Sequence, residues 1–263
     1  MIRLIVSDID GTLIPYGEKT LSEELFPLID RLKRAGILFC PASGRQLHSL
    51  RRLFAPVAEE LAYVCENGAA VYGPGETERA QPLWGKTPIP RALALELCGD
   101  IAAAPGCHTL ISGANVSYIH RDDVDFARRM TDYTGNLVAR ITDPTDIEEP
   151  ILKVSAYCPE GGAQRALDSL GGRWEGRLPM AVAGPAWLDF TLADKGVGLA
   201  MLCAGLGISA EAAAAFGDNW NDLAMLEKVG QPWCMEGADP ELGKRFANRC
   251  GRVEDVLKMF LDQ

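Results

Sequence analysis

The 263-residue chain has no apolar run of 18 residues, which argues against a membrane-spanning helix. Basic residues are in the minority: 26 Lys and Arg stand against 36 Asp and Glu, for a net charge of −10. That balance disfavours nonspecific binding to nucleic acid or to anionic membranes. Histidine is scarce; His48, His108 and His120 form no cluster. The eight cysteines include no Cys-x-x-Cys pair and have no histidine at zinc spacing, so a zinc motif is absent. Most cysteines fall in apolar patterns and are predicted to be reduced, buried and structural. No signal-peptide pattern opens the chain, which predicts a cytoplasmic location. Internal repeats and low-complexity segments are also missing. What remains is 48% hydrophobic and 24% charged, an ordinary globular composition that allows one large or two modest domains.

Against that background stands Asp8-Ile9-Asp10-Gly11-Thr12, directly after Ile2, Leu4, Ile5 and Val6. The apolar run reads as a buried parallel strand. It delivers two carboxylates, a turn glycine and a hydroxyl to the strand's carboxyl end, where ligands of open α/β sheets bind. A second strand, turn and acid pair follows near the other end, in Phe216-Gly217-Asp218-Asn219-Trp220-Asn221-Asp222. Between them lie Pro41-Ala42-Ser43-Gly44-Arg45, after the strand Ile37 to Cys40, and Asp194-Lys195-Gly196, opening a helical pattern.

These four segments, in this order, resemble the motifs of the haloacid dehalogenase superfamily of phosphotransferases. Glu66-Asn67-Gly68-Ala69 and the long insert after it resemble the Cof-type branch of phosphatases. The resemblance implies an α/β fold, with a Rossmann-like parallel sheet core (1–83 and 187–263) and an inserted α+β cap (84–186). It also implies a phosphatase of small phosphorylated metabolites, sugar phosphates above all, acting through an aspartyl-phosphate. Asp8 would be the nucleophile and Asp10 the general acid and base. Thr12, Ser43, Gly44, Arg45, Lys195 and Asn221 would hold the phosphoryl group. Asp8, the Asp10 carbonyl and Asp218 would bind metal, with Asp222 behind them or reaching it through water.

The need for a metal has a physical basis. Two carboxylates about 4 Å apart repel by roughly 4 kcal/mol at an effective dielectric near 20. Oxygen ligands without His or Cys point to Mg²⁺. The expected partner is a small-molecule phosphate ester, with no nucleic acid and no membrane, bound by a monomer or weak homodimer. A phosphomutase with the same intermediate, or a catalytically idle phosphometabolite-binding protein, stays open. A receiver domain would be far shorter and would lack the insert.

In finer detail, Ser22 to Ala35 and Gln46 to Phe54 read as helices, and Ala62 to Cys65 as a third strand of the parallel sheet. In the insert, Arg91 to Ala103, Asp122 to Tyr133 and Gln164 to Leu170 read as helices. Thr109 to Ser112, Val116 to His120, Ile151 to Tyr157 and Met180 to Ala183 read as strands. The α/β rhythm is expected to resume with Trp187 to Leu192. Glu211 to Ala215 is Ala-rich, yet its place before Asp218 calls for a strand.

Overall fold

A computed structural model describes residues 1–132 and 134–262. From the N-terminus come β1 (Leu4–Ser7), α1 (Leu25–Arg34), β2 (Leu38–Pro41), α2 (Leu47–Leu53), β3 (Tyr63–Cys65), β4 (Ala70–Tyr72) and β5 (Leu83–Lys86). Next are α3 (Arg91–Ala103), β6 (His108–Ser112), β7 (Ser117–His120), α4 (Val124–Asp132), β8 (Val138–Ile141), β9 (Lys153–Tyr157), α5 (Ala163–Trp174), β10 (Met180–Val182) and β11 (Trp187–Phe190). The chain ends with α6 (Lys195–Leu206), β12 (Ala213–Gly217), α7 (Leu223–Leu226), β13 (Gln231–Met235), α8 (Pro240–Gly243), β14 (Arg249–Cys250) and α9 (Val253–Leu261). The helix expected to reach Tyr133 is described as far as Asp132; Tyr133 lies outside the described residues. Among the described residues, no helix is long and apolar enough to cross a membrane.

The chain divides into two compact units. The first holds Met1–Gly44, Leu50–Gly85 and Ala193 onward. Its main sheet runs β14-β13-β12-β1-β2, every pair parallel. Leu4, Ile5 and Val6 are fully buried, as a central strand covered on both faces requires. In α1, Leu25, Leu28, Ile29 and Leu32 recur at helical spacing and are buried. Pro27 sits in the first turn, where its missing N–H leaves no bond unmade.

The Ala-rich stretch resolves in two parts. Ala210–Ala212 forms one 3₁₀ turn, and the strand begins at Ala213. There ladders to β1 and β13 override helix propensity. The third expected strand does not join the parallel sheet fully. β3 pairs antiparallel with β4 in a separate three-stranded sheet and reaches the main sheet's line only through an Ala42–Val64 bridge. From β1 the chain crosses to β2 on one side; from β12 it crosses to β13 and β14 on the other. The carboxyl ends of β1 and β12 therefore frame a topological switch point, where an open α/β sheet forms its binding crevice.

The second unit holds Lys86–Leu192 together with Arg45–Ser49. Its sheet runs β10-β11-β9-β6-β7-β8, antiparallel except for β7 with β8. Leu97 and Ile101 of α3 and Leu170 and Trp174 of α5 pack on Ile111, Val154, Ala156, Leu188 and Phe190. Phe126, Ala127 and Met130 of α4 pack on Leu110, Ile119 and Tyr157.

Three readings change here. The strand at Trp187–Phe190 pairs between β9 and β10, not in the core sheet, so the units part after Gly85 and after Leu192. β8 is an added strand, found by its pairing with β7. Finally, Cys107 and Cys158 form a disulfide, whereas six other cysteines are free and buried. The β6–β9 ladder sets His108 opposite Tyr157, which brings the two flanking cysteines to 4.5 Å between Cα atoms. Their separation of 51 residues gives no hint of that register.

Candidate active site

Asp8 follows β1, and its amide donates to the Phe216 carbonyl at 3.0 Å, so it leaves the sheet beside the end of β12. Asp218 follows β12 directly. Asp8, Asp218 and Asp222 are all buried, and one carboxylate oxygen from each lies within 4.8 Å of the others. Lys195, first residue of α6, is completely buried among them. Its ammonium donates to Asp8 Oδ1 and, at 2.6 Å, to Asp222 Oδ1. The Asp194 carboxylate caps α6 by accepting from the Val197 amide at 2.7 Å, which fixes where the lysine starts. Asp222 closes its own loop: Oδ2 accepts from the amides of Asp218 at 3.0 Å and Asn219 at 3.1 Å.

Two glycines admit this crowding. Gly11 adopts φ +99°, and a Cβ there would collide with the Asp218 carboxylate. At Gly68, φ +94°, a Cβ would collide with the Asp194 carbonyl at the start of α6. Gly68 ends a turn in which Glu66 and Asn67 also have positive φ, 51° and 55°. Three successive left-handed residues are held by packing at the site, as stored backbone strain often is. The Asn67 amide donates to the Ser43 carbonyl at 2.9 Å, tying that turn to the Ser43 loop.

The electrostatics follow from burial. Desolvation pushes the Asp8 carboxyl well above its usual range; Lys195 pulls it back, while Asp222 and Asp218 push it further up. Burial raises Asp218 as well, against the hydrogen bonds it accepts. Lys195 is lowered by burial, but Asp222 and Asp8 outweigh that and hold its ammonium charged. One ammonium among three buried carboxylates leaves negative charge uncompensated. A hard divalent cation fits such an all-oxygen donor set. Both oxygens of Asp222 are engaged by buried partners, Lys195 and the loop amides, whereas one oxygen of Asp218 is held by the largely exposed Tyr16.

The other expected residues fall as follows. Thr12 is buried, and its hydroxyl donates to Asp218 Oδ1 at 3.0 Å, so it orients the acid. Asp10 is exposed, in a tight turn where the Gly11 amide donates to the Ile14 carbonyl. Ser43 is buried after β2, and its own amide is engaged by the Val64 carbonyl at 3.0 Å. Gly44 lies against the Asn67 side chain. Asn221 is half-buried in the single turn Trp220–Asp222. Arg45 groups with the second unit.

One site residue was not foreseen. The Tyr16 hydroxyl donates to Asp218 Oδ2 at 2.6 Å, although the residue is 71% exposed. Burial of the hydroxyl, then the bond to Asp218, holds its pKa well above the usual value. A tyrosine in a Pro-Tyr-Gly turn carries no spacing signal toward an acid 202 positions away.

The sequence model of the haloacid dehalogenase-like hydrolase family matches residues 5–255. The chain belongs to the haloacid dehalogenase-like hydrolases. It is 29% identical to the Bacillus subtilis 5-amino-6-(5-phospho-D-ribitylamino)uracil phosphatase YitU, over 99% of this chain and 96% of that protein. An HMP-PP phosphatase of Cronobacter sakazakii is 27% identical over 92% of this chain and 87% of its own length. A crystal structure from Eubacterium rectale superposes with a TM-score of 0.84 at 26% identity, covering 98% of this chain and 99% of that one. The chain is thus an enzyme, a phosphatase of the haloacid dehalogenase-like family, on the α/β fold read from its sequence.

Proposed function

We propose that this enzyme is a Mg²⁺-dependent hydrolase of small phosphorylated metabolites, sugar phosphates in particular, working through an aspartyl-phosphate on Asp8. The observation that carries this reading is Lys195 bonded to Asp8 and Asp222, with Asp218 beside them, at the carboxyl ends of β1 and β12. Lys195 anchors Asp8 Oδ1, so attack on phosphorus falls to the other oxygen. The bond to the leaving oxygen breaks as the acyl phosphate forms, and Asp10 protonates the departing alkoxide. Asp10 then takes a proton from the water that attacks phosphorus, which releases phosphate and restores Asp8.

Asp8, Asp218 and the Asp10 carbonyl would hold Mg²⁺, which would neutralise charge on the transferring phosphoryl group. Asp222 supports this set by fixing Lys195 and the Asp218 loop. Thr12 orients Asp218. Ser43, Gly44, Lys195 and Asn221 supply donors for the phosphoryl oxygens. The ribityl phosphate and HMP-PP in the names of relatives bound the substrate class by similarity.

The test is a phosphatase screen across phosphorylated metabolites and para-nitrophenyl phosphate. Turnover is expected with Mg²⁺, silence with EDTA, and poorer rescue by Ca²⁺, whose larger shell misplaces the nucleophile. Full activity in metal-free buffer would refute the metal assignment. Failure to release phosphate from any ester would refute the activity.

A further inference from the structure

The turn Glu66–Gly68 stands between two elements of the first unit, the Ser43 loop and the start of α6. On the loop side the bonds run both ways. The Ser43 amide donates to the Val64 carbonyl at 3.0 Å, and the Asn67 amide donates to the Ser43 carbonyl at 2.9 Å. The Asn67 side chain then lies against Gly44: a Cβ at Gly44 would stand 3.1 Å from Asn67 Oδ1 and 3.2 Å from Nδ2. On the α6 side, backbone meets backbone. A Cβ at Gly68 would collide with the Asp194 carbonyl, the residue before Lys195. A Cβ at Gly198, in the first turn of α6, would lie 2.8 Å from Gly68 Cα and 2.5 Å from Val64 Cγ1.

Joining β3 to β4 does not call for this turn. A four-residue connection between antiparallel strands is most often built around a right-handed type I turn. This one instead keeps Glu66 at φ 51° and Asn67 at φ 55°. Left-handed backbone is unfavourable outside glycine, and asparagine tolerates it better than most residues. Such strain persists where the surroundings over-determine it. Here the surroundings are the loop that carries Ser43 and Gly44 and the helix start that carries Lys195. Donors from two separate elements stabilise one transferring group only when their spacing is fixed beforehand.

We infer that Asn67 is a positioning residue for phosphoryl transfer: its side chain holds Gly44, and its turn sets the Ser43 loop at a fixed distance from Lys195, so that both meet the same phosphoryl oxygens. The inference rests on the phosphatase reading above.

The test uses Asn67→Gly, which keeps the amide and the left-handed backbone and removes only the side chain. Inorganic phosphate is the probe, its Ki measured against para-nitrophenyl phosphate with Mg²⁺ present. The kcat is expected to fall about tenfold to a hundredfold, and the Ki for phosphate to rise about threefold or more. Mg²⁺ affinity by calorimetry is expected to hold, because Asp8 and Asp218 follow β1 and β12 and do not depend on this turn. The melting temperature is expected to stay within about 3 °C of wild type, since relief of strain offsets the added freedom of the unfolded chain. A lower melting temperature with kcat and Ki unchanged would mark a purely structural role and overturn the inference, as would unchanged kcat and Ki in an equally stable variant. Gly44→Ala supplies a second arm if Asn67→Gly folds poorly. Its Cβ presses on the Asn67 amide group, so the loss from Asn67→Gly should be smaller in Gly44→Ala than in wild type. Independent, multiplicative losses would overturn the contact. Wild-type enzyme that releases phosphate from no ester removes the phosphatase reading, and this inference with it.

Discussion

Lys195 Nζ lies 2.6 Å from Asp222 Oδ1, and neither side chain has any exposure to solvent. Asp222 also accepts from two amides of the Asp218 loop, so one carboxylate fixes both the lysine and the turn that carries the next acid. An asparagine there has one acceptor oxygen where the carboxylate has two, so it cannot serve both the lysine and the loop amides, although Lys195 keeps its bond to Asp8.

Asp222→Asn should therefore lower stability by about 1–3 kcal/mol, measured by urea unfolding monitored by circular dichroism. Asp10→Asn, at an exposed position, should stay within about 0.5 kcal/mol of wild type. Equal effects of the two substitutions would contradict the structural weight given to the Lys195–Asp222 pair.

Asp10→Asn should instead show itself in catalysis. A general acid matters most when the leaving group is a poor one. The loss of kcat should be large for alkyl phosphates and about tenfold or more smaller for para-nitrophenyl phosphate. Equal losses for both esters would count against proton donation by Asp10 in the first step.

Tyr16 makes a different prediction. With Thr12 on Oδ1 and Tyr16 on Oδ2, two hydroxyls share Asp218 with any incoming cation. Thr12 is buried, whereas the tyrosine is largely exposed and can leave. A hydrogen bond to a charged group is worth about 1.5–3 kcal/mol, so Tyr16→Phe should tighten Mg²⁺ binding by about tenfold. Isothermal titration of the protein with MgCl₂ measures this directly. Unchanged or weaker binding would contradict competition between Tyr16 and the metal.

Much of this site could be read from the chain. Asp8 and Asp10, then Asp218 and Asp222, each follow an apolar strand, and a parallel sheet sends such ends to one edge. What the sequence hid depends on pairing partners. Trp187–Phe190 has the same alternation in either sheet, and only its ladders to β9 and β10 place it in the second unit. The Cys107–Cys158 bond depends on the register of β6 with β9. Tyr16 reaches Asp218 by the path of a turn, which leaves no periodic trace.

The most direct test of the account is whether Asp8 carries the phosphoryl group during turnover. Enzyme mixed with excess substrate, quenched in acid within one turnover and digested, should yield the peptide containing Asp8 heavier by one phosphoryl group. The adduct should be absent from Asp8→Asn, which should also lose at least about a hundredfold in rate. A burst of released alcohol with no phosphorylated peptide, or the same adduct surviving in Asp8→Asn, would contradict the central claim.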